Sequence, residues 1–228
     1  MGIFSKNSNS ILGLDISSTA IKVVELEKSG NNFRLLHYSI EPLPQNAVSE
    51  NSISDVEQVS SSITRAIKRS GARSRNVATA IPGSHVISKR IFMPHGLRED
   101  ELESQITLEA DHYIPYPLDE VNIDFEVLGP ALESPNEDEI LLVACRKEIV
   151  DDYIAVLEDA GLTPVVLDVE YFAVENAYEQ IVQDLPGGGM EKITAVMDFG
   201  ATTLHVNVIQ NNRSIYTRNH SFGGNQLT

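Results

Sequence analysis

Leu14-Asp15-Ile16-Ser17-Ser18-Thr19-Ala20-Ile21-Lys22-Val23 and Met197-Asp198-Phe199-Gly200-Ala201-Thr202-Thr203-Leu204-His205-Val206 carry one pattern twice. Asp198 follows Asp15 by 183 positions, and at that constant offset Asp meets Asp, small residues meet small residues, and the apolar positions coincide. Each copy reads as an apolar strand, a tight turn of small and hydroxyl residues, and an alternating strand. The inward positions are Ile21, Val23 and, after a shift, Leu26 in the first copy, and Leu204, Val206 and Val208 in the second. A third strand is predicted after each, over residues 33–40 and 214–220, behind the turns Ser29-Gly30-Asn31-Asn32 and Asn211-Asn212. Ordinary hairpins with polar turns share part of this pattern; the Asp-x-small-small-Thr turn is less common. Such a turn exposes backbone N–H groups that can cradle phosphate oxygens, its hydroxyls add donors, and an Asp at the strand end can hold a water on Mg²⁺. Two of them facing each other would grip a triphosphate from both sides.

Composition narrows the partners. Among 228 residues, 17 are basic and 33 acidic, a formal net charge of −16. A surface that negative repels phosphate backbones and anionic headgroups, which argues against nucleic acid and against direct membrane insertion. Any nucleotide must then be held by backbone amides, a few local cations and a metal. The single Cys145 lies in the apolar run Ile140-Leu141-Leu142-Val143-Ala144, so an inert core thiol is expected and no disulfide framework is possible. No stretch reaches the ~18 apolar residues of a membrane helix, and no signal peptide is read before Ile11. Met1-Gly2-Ile3-Phe4-Ser5 is close to a myristoylation signal, but Lys6 stands where Ser or Thr is required. A soluble protein of a reducing compartment is expected.

Between the two copies, Ser54-Asp55-Val56-Glu57 reads as a capping box. Val56, Val59, Ile63, Ala66 and Ile67 keep helical spacing behind it, and Gly71 ends the helix. Residues 76–81 read as a strand stopped by Pro82-Gly83, residues 164–169 as a buried strand, and a helix is predicted from Glu170 to about Ile181. Strand, strand, strand, helix, strand is a ribonuclease-H-like order. The intervening segment predicts strand 86–92, helix 97–113 striped by Leu102, Ile106, Ala110 and Tyr113, strand 121–128, strand 139–145 and helix 147–160, a small two-layer α+β module. The acidic stretch Glu133-Ser134-Pro135-Asn136-Glu137-Asp138 reads as a solvated turn, and Leu185-Pro186-Gly187-Gly188-Gly189 as a flexible connector. The expected division is a first lobe over 1–83 and 164–185, an inserted subdomain over 84–163, and the start of an incomplete second lobe over 191–228.

The Asp15 to Lys22 segment resembles the first phosphate loop of the actin, Hsp70 and sugar-kinase superfamily, and Asp198-Phe199-Gly200-Ala201-Thr202-Thr203 resembles the second. The resemblance implies an actin-like α/β fold binding ATP and Mg²⁺. Asp15, Ser17, Ser18, Thr19 and Lys22 would hold phosphate on one side; Asp198, Gly200, Ala201, Thr202 and Thr203 would hold it on the other. Asp15 and Asp198 would carry Mg²⁺ through water, and Gly223 and Gly224 would lie near the nucleotide. A solvated strand lysine is the alternative for Lys22; His205, at the matching place, is read as a strand residue. Ser17 stands where relatives often carry Gly. Asp168-Val169-Glu170-Tyr171-Phe172-Ala173 resembles the superfamily's first connecting motif, making Glu170 the water-positioning group, or alternatively a carboxylate at a helix start.

An insertion after the fourth strand resembles the subdomain shared by the division protein FtsA and by PilM. The opening Gly2-Ile3-Phe4-Ser5-Lys6, the segment from Glu109 to Val121, and Asp159-Ala160-Gly161-Leu162-Thr163-Pro164 are similar to the PilM family of type IV pilus assembly proteins. That resemblance implies a cytoplasmic scaffold for twitching motility, weak or inactive as an ATPase. It would capture the N-terminal cytoplasmic peptide of PilN and so sit at the inner membrane through the PilN/PilO complex; self-association stays open. An extended peptide is recognised by main-chain bonds and apolar pockets, and Tyr113, Ile114, Pro115, Tyr116 and Val143 are the candidates, with core and turn packing as their alternative. A second lobe ending at Thr228 would lack the superfamily's adenosine loop. The competing functions are a small-molecule kinase or ATPase on the same fold, an FtsA-like division protein, and the cytoplasmic half of a type II secretion protein.

Overall fold

The computed structural model describes residues 10–30, 32–131, 134–183, 186–189 and 192–227. The readings placed on Gly2 to Lys6, Asn31, Glu133, Leu185 and Thr228 lie outside the described residues. The chain forms two compact units, one of residues 1–84 with 152–228 and one of residues 85–151.

The first unit is built on a five-stranded sheet. Strands β1 (Leu12–Ile16), β2 (Ala20–Ser29) and β3 (Asn32–Pro42) form an antiparallel meander, followed by the short hairpin β4 (Val48–Ser49) and β5 (Ser52–Ile53) and helix α1 (Val56–Ser70). Strand β6 (Asn76–Ile81) then pairs parallel with β1 on its other side. Strand β10 (Thr163–Val169) joins parallel to β6, giving the order β10-β6-β1-β2-β3. Alternation makes the core: Leu12, Leu14, Ile16, Ile21 and Val23 are all buried. Helix α1 packs on β2 and β3 through Val59, Ile63, Ala66 and Ile67, and Ser39 Oγ donates to the Ala66 carbonyl at 2.8 Å.

Two local expectations are corrected here. The inward position after Val23 is Glu25, 4% exposed, whereas Leu26 is 42% exposed. A bulge between Glu25 and Leu26 shifts the register, and the buried carboxylate accepts a hydrogen bond from Ser10 Oγ at 2.9 Å. The N-cap of α1 is Asp55 rather than Ser54: Asp55 Oδ1 accepts the Gln58 N–H at 2.9 Å. The N–H groups of Ser54 and Asp55 both donate to the Ala47 carbonyl, at 2.9 and 3.2 Å, which fixes where the chain enters the helix. Gly71, with φ 74°, closes it as expected.

Helix α4 (Glu170–Val182) follows β10 and contacts strands of both sheets of this unit. The second sheet is antiparallel β11 (Ile193–Phe199), β12 (Leu204–Gln210) and β13 (Arg213–His220). Tyr178, Val182 and Ile209 form its core with Val196, and the Tyr178 hydroxyl lies 3.0 Å from Thr194 Oγ1.

In the 85–151 unit, β7 (Val86–Pro94), β9 (Glu137–Arg146) and β8 (Val121–Pro130) form an antiparallel sheet in the order β7-β9-β8. Ile91, Met93, Ile140 and Leu142 pack against Leu102 and Ile106 of α2 (Glu99–Ala110). The helix starts later than predicted: the Arg98 N–H, at the N-cap, donates to Glu101 Oε2 at 3.1 Å. Glu137 and Asp138 belong to β9 instead of a solvated turn, and Asp138 lies 3.0 Å from His95 Nδ1. Helix α3 (Lys147–Asp159) contains the boundary between the units.

Candidate functional site

The repeated pattern folds into two hairpins of identical register. Leu14 faces Val23, Asp15 faces Lys22 and Ile16 faces Ile21 in the first; Met197 faces Val206, Asp198 faces His205 and Phe199 faces Leu204 in the second. The turns close alike, the Ser17 N–H donating to the Ala20 carbonyl at 3.1 Å and the Gly200 N–H to the Thr203 carbonyl at 3.0 Å. Their apices meet where Thr202 Oγ1 donates to Ser18 Oγ at 3.2 Å. A polar cavity of about 280 Å³ lies between them, lined by both turns with Asp15, Lys22, Glu170, Asp198, His205 and Asn51.

Ser17, Ser18, Thr19, Gly200, Ala201, Thr202 and Thr203 therefore share one cavity. The Ser17 hydroxyl donates to the Ala20 carbonyl at 2.9 Å, so its proton stiffens its own turn. A side chain at Gly200 would come within 2.8 Å of the Thr203 carbonyl oxygen. Gly223 and Gly224 brace the second turn from behind and do not line the cavity: the Gly224 and Asn225 N–H groups donate to the Gly200 and Ala201 carbonyls, both at 2.9 Å. A Cβ on Gly223 would lie 2.5 Å from the Ala201 backbone.

Charge in the cavity is mostly negative. Lys22 Nζ donates to Asp15 Oδ2 at 2.8 Å. That bond raises the lysine pKa, against desolvation, with the charges of Asp15, Asp198 and Glu170 adding to the rise. The pair is half exposed, so it adds little stability and serves to aim the ammonium. Glu170, the first residue of α4, has its carboxyl pKa raised by burial, and Asp15 and Asp198 push it further while His205 and the Gly83 N–H oppose. Glu170 Oε2 is buried without a hydrogen-bond partner among the described residues. His205 Nδ1 lies 3.9 Å from that oxygen and 2.9 Å from Asn219 Oδ1.

His205, read from the sequence as a strand residue, does lie in β12 and in addition lines the cavity. Its signal was present, since it stands at the place of Lys22 in the second copy. Asn51 was missed, because two-residue strands leave no periodicity to read. Beside the polar cavity and sharing Asp15, Lys22, Glu170, Asp198 and His205 with it is an apolar one of about 640 Å³, walled by Val24, Val166, Ala173, Val174, Ala177 and Val196. Asp168 lines it, its pKa raised by burial and lowered in part by the Val169 N–H.

The peptide candidates fall in the 85–151 unit. Ile114 is 3% exposed and packs with Ala110, Val121 and Ala144, so its side chain serves the core. Tyr113 is partly buried against the neighbouring cluster and Val143 is half-buried in β9. Pro115 and Tyr116 are exposed, and the Arg146 guanidinium stands 6.0 Å from the Tyr116 ring centroid.

A family described as type IV pilus assembly protein PilM matches residues 13–228. The chain belongs to the PilM family. Among solved structures, this PilM-family chain is similar to a protein of the "PilM-PilN type IV pilus biogenesis complex", with 29% identity and a TM-score of 0.80. The match covers 95% of this chain and 62% of that one, so the chain spans less than two thirds of that relative's length. It also resembles the ethanolamine utilization protein EutJ of Carboxydothermus hydrogenoformans, at 15% identity and TM-score 0.53, over 96% of this chain and 54% of that one. The cytoplasmic domain of EpsL, an inner-membrane component of the Vibrio cholerae type II secretion system, matches at 12% identity and TM-score 0.54, over 93% and 71%. These last two share the fold alone. The fold is the actin-like ATPase fold, as the phosphate-loop resemblance implied. Among the described residues no helix is long and apolar enough to cross a membrane.

Proposed function

We propose that this PilM-family chain is a nucleotide-binding scaffold of the type IV pilus machine, holding ATP with Mg²⁺ between its two turns and capturing the N-terminal cytoplasmic peptide of PilN. Through PilN and the PilN/PilO complex it would be held peripherally at the inner membrane, in support of pilus assembly and twitching motility. The family match over residues 13–228 carries this reading, and the relative of TM-score 0.80 belongs to a PilM-PilN complex.

The site fits the ligand. Two turns of small and hydroxyl residues, one of them containing Gly200, present backbone donors and hydroxyls, while Glu170 Oε2 has a lone pair unspent on protein. Ser18, Thr19, Thr202 and Thr203 donate to phosphoryl oxygens, and Lys22 supplies the cation. Asp15 and Asp198 would hold Mg²⁺ through water, and the metal would supply positive charge to offset the phosphates beside the three carboxylates. Glu170 orients a water. Its raised pKa makes it a better proton acceptor than an ordinary carboxylate at neutral pH. On the peptide side, Pro115 and Tyr116 supply apolar surface, with Tyr113 and Val143 beside them and Ile114 behind as core.

Calorimetry with a synthetic peptide of the PilN N-terminal tail, with and without Mg-ATP, tests the scaffold. Binding with Kd on the order of micromolar, about −8 kcal/mol, supports it. No binding to folded protein, in either condition, sinks the partner assignment.

A further inference from the structure

We infer that Asn51 is a third arm of the phosphate site, a neutral donor to a phosphoryl oxygen that also ties the site to the backbone leading into the 85–151 unit. The inference rests on the nucleotide reading above. Three observations carry it.

The first is position. Asn51 lines the polar cavity from the β4–β5 hairpin, an element separate from both phosphate turns. The hairpin is anchored to the site, since the Leu43 N–H donates to the Thr19 carbonyl at 2.8 Å and Ala47 takes the two N–H groups that open α1. Glu50 and Asn51 have φ 51° and 63°, the two left-handed residues of a tight hairpin turn. Asn tolerates that backbone better than other side-chain-bearing residues, so the turn can carry an amide at the cavity's edge without strain.

The second is charge. The cavity holds three carboxylates, and its lysine is already 2.8 Å from one of them. A polyanion there depends on neutral donors, and a hydrogen bond to a charged oxygen is stronger than one between neutral groups.

The third is the amide's present partner. Asn51 Nδ2 donates to Ser84 Oγ at 3.2 Å, and Ser84 is the last residue before the 85–151 unit. The neighbouring Gly83 N–H bonds the Glu170 carboxylate, and a Cβ on Gly83 would meet the Tyr171 ring at 2.8 Å. Residues 83–84 are thus held by side chains of the site and its helix. The amide carries two N–H groups, so a phosphoryl oxygen loosens this link by drawing the side chain off Ser84 into the cavity and lengthening the 3.2 Å bond.

The test uses the 228-residue chain, with Mg-ATP titrated by calorimetry and backbone exchange followed by mass spectrometry over residues 82–94. Asn51→Gly keeps the left-handed turn and removes only the amide. It is expected to bind Mg-ATP about tenfold more weakly, and to lose the nucleotide-dependent rise in exchange at 83–85 that the wild type shows. Ser84→Ala leaves the hairpin intact and is expected to bind Mg-ATP while showing no such change. If the wild type binds Mg-ATP but Asn51→Gly binds it equally well, or Ser84→Ala responds as the wild type does, this inference is overturned and the nucleotide reading stands. If the wild type does not bind Mg-ATP, both fall.

Discussion

Replacing Gly223 by alanine should do far more damage than a surface methyl group suggests. Gly223 has φ −155° and ψ −176°, an extended backbone open to any residue, so no conformational strain opposes the change. The obstacle is the second phosphate turn: the new Cβ would lie 2.5 Å from the carbonyl carbon and oxygen of Ala201 and 2.6 Å from the Thr202 nitrogen. All three atoms are backbone, so no rotamer change relieves the overlap. The turn must move away or the Gly223 segment must lift, and lifting it stretches the Gly224 and Asn225 bonds to the turn. Overpacking of this kind costs about 1–3 kcal/mol, and each weakened hydrogen bond adds roughly 1 kcal/mol. A total of about 2–4 kcal/mol is expected, or some 5–15 °C in Tm at about 2–4 °C per kcal/mol for a chain of this size. Gly13→Ala is the control. A Cβ there meets nothing nearer than the Val24 carbonyl at 3.8 Å, so it should be neutral or gain up to about 1 kcal/mol through the unfolded chain. Urea unfolding of both variants gives the comparison. If Gly223→Ala unfolds within about 0.5 kcal/mol of the wild type, the bracing role assigned to this segment is refuted.

The carboxyl of Glu170 has a folded pKa above its ordinary 4.5, so the folded state binds its proton more tightly than the unfolded chain. Stability is lost as pH rises from 4.5 through the raised value; Glu170→Gln should therefore melt higher than the wild type at about pH 8 and show no gain below pH 4.5, which thermal melts at both ends will show. Asp55→Ala should cost about 1 kcal/mol by chemical denaturation, whereas Ser54→Ala, at the position the sequence favoured, should cost a few tenths at most. Lys22→Ala should weaken Mg-ATP binding at least about tenfold with little change in unfolding midpoint, because its ion pair is half exposed; a fluorescent nucleotide titration settles it, and unchanged affinity would return Lys22 to the solvated strand lysine.

What the sequence disclosed was what local pattern can encode. Alternation and turn chemistry placed β1, β2, β11, β12 and their turns, and helical spacing with Gly71 placed α1. The misses share a cause, a partner distant along the chain. Glu25 keeps the strict inward alternation of Ile21 and Val23, and Ser10, from before β1, supplies the donor its buried carboxylate needs. Asp55 caps α1 because Ala47 fixes the approach. Asp138 extends β9 because His95 supplies the counterpart. Pro82-Gly83 was legible as a stop, but the reason glycine stands there is the Tyr171 ring, which no spacing reveals. At the site, the two turns were found by their likeness to each other; Asn51, which has no copy, was not.

Identical register in the two hairpins also bears on direction. A cradle made of two equivalent backbones would accept a linear polyanion head-first or tail-first with equal ease. Lys22 and His205, at equivalent places, remove that degeneracy: one wall offers a permanent cation, the other an imidazole beside Asn219 and Glu170. A duplicated scaffold thus acquires polarity from unmatched side chains, of which Lys22 and His205 differ most in charge, and exchanging those two would be the way to ask whether the cleft can be made to read its ligand backwards.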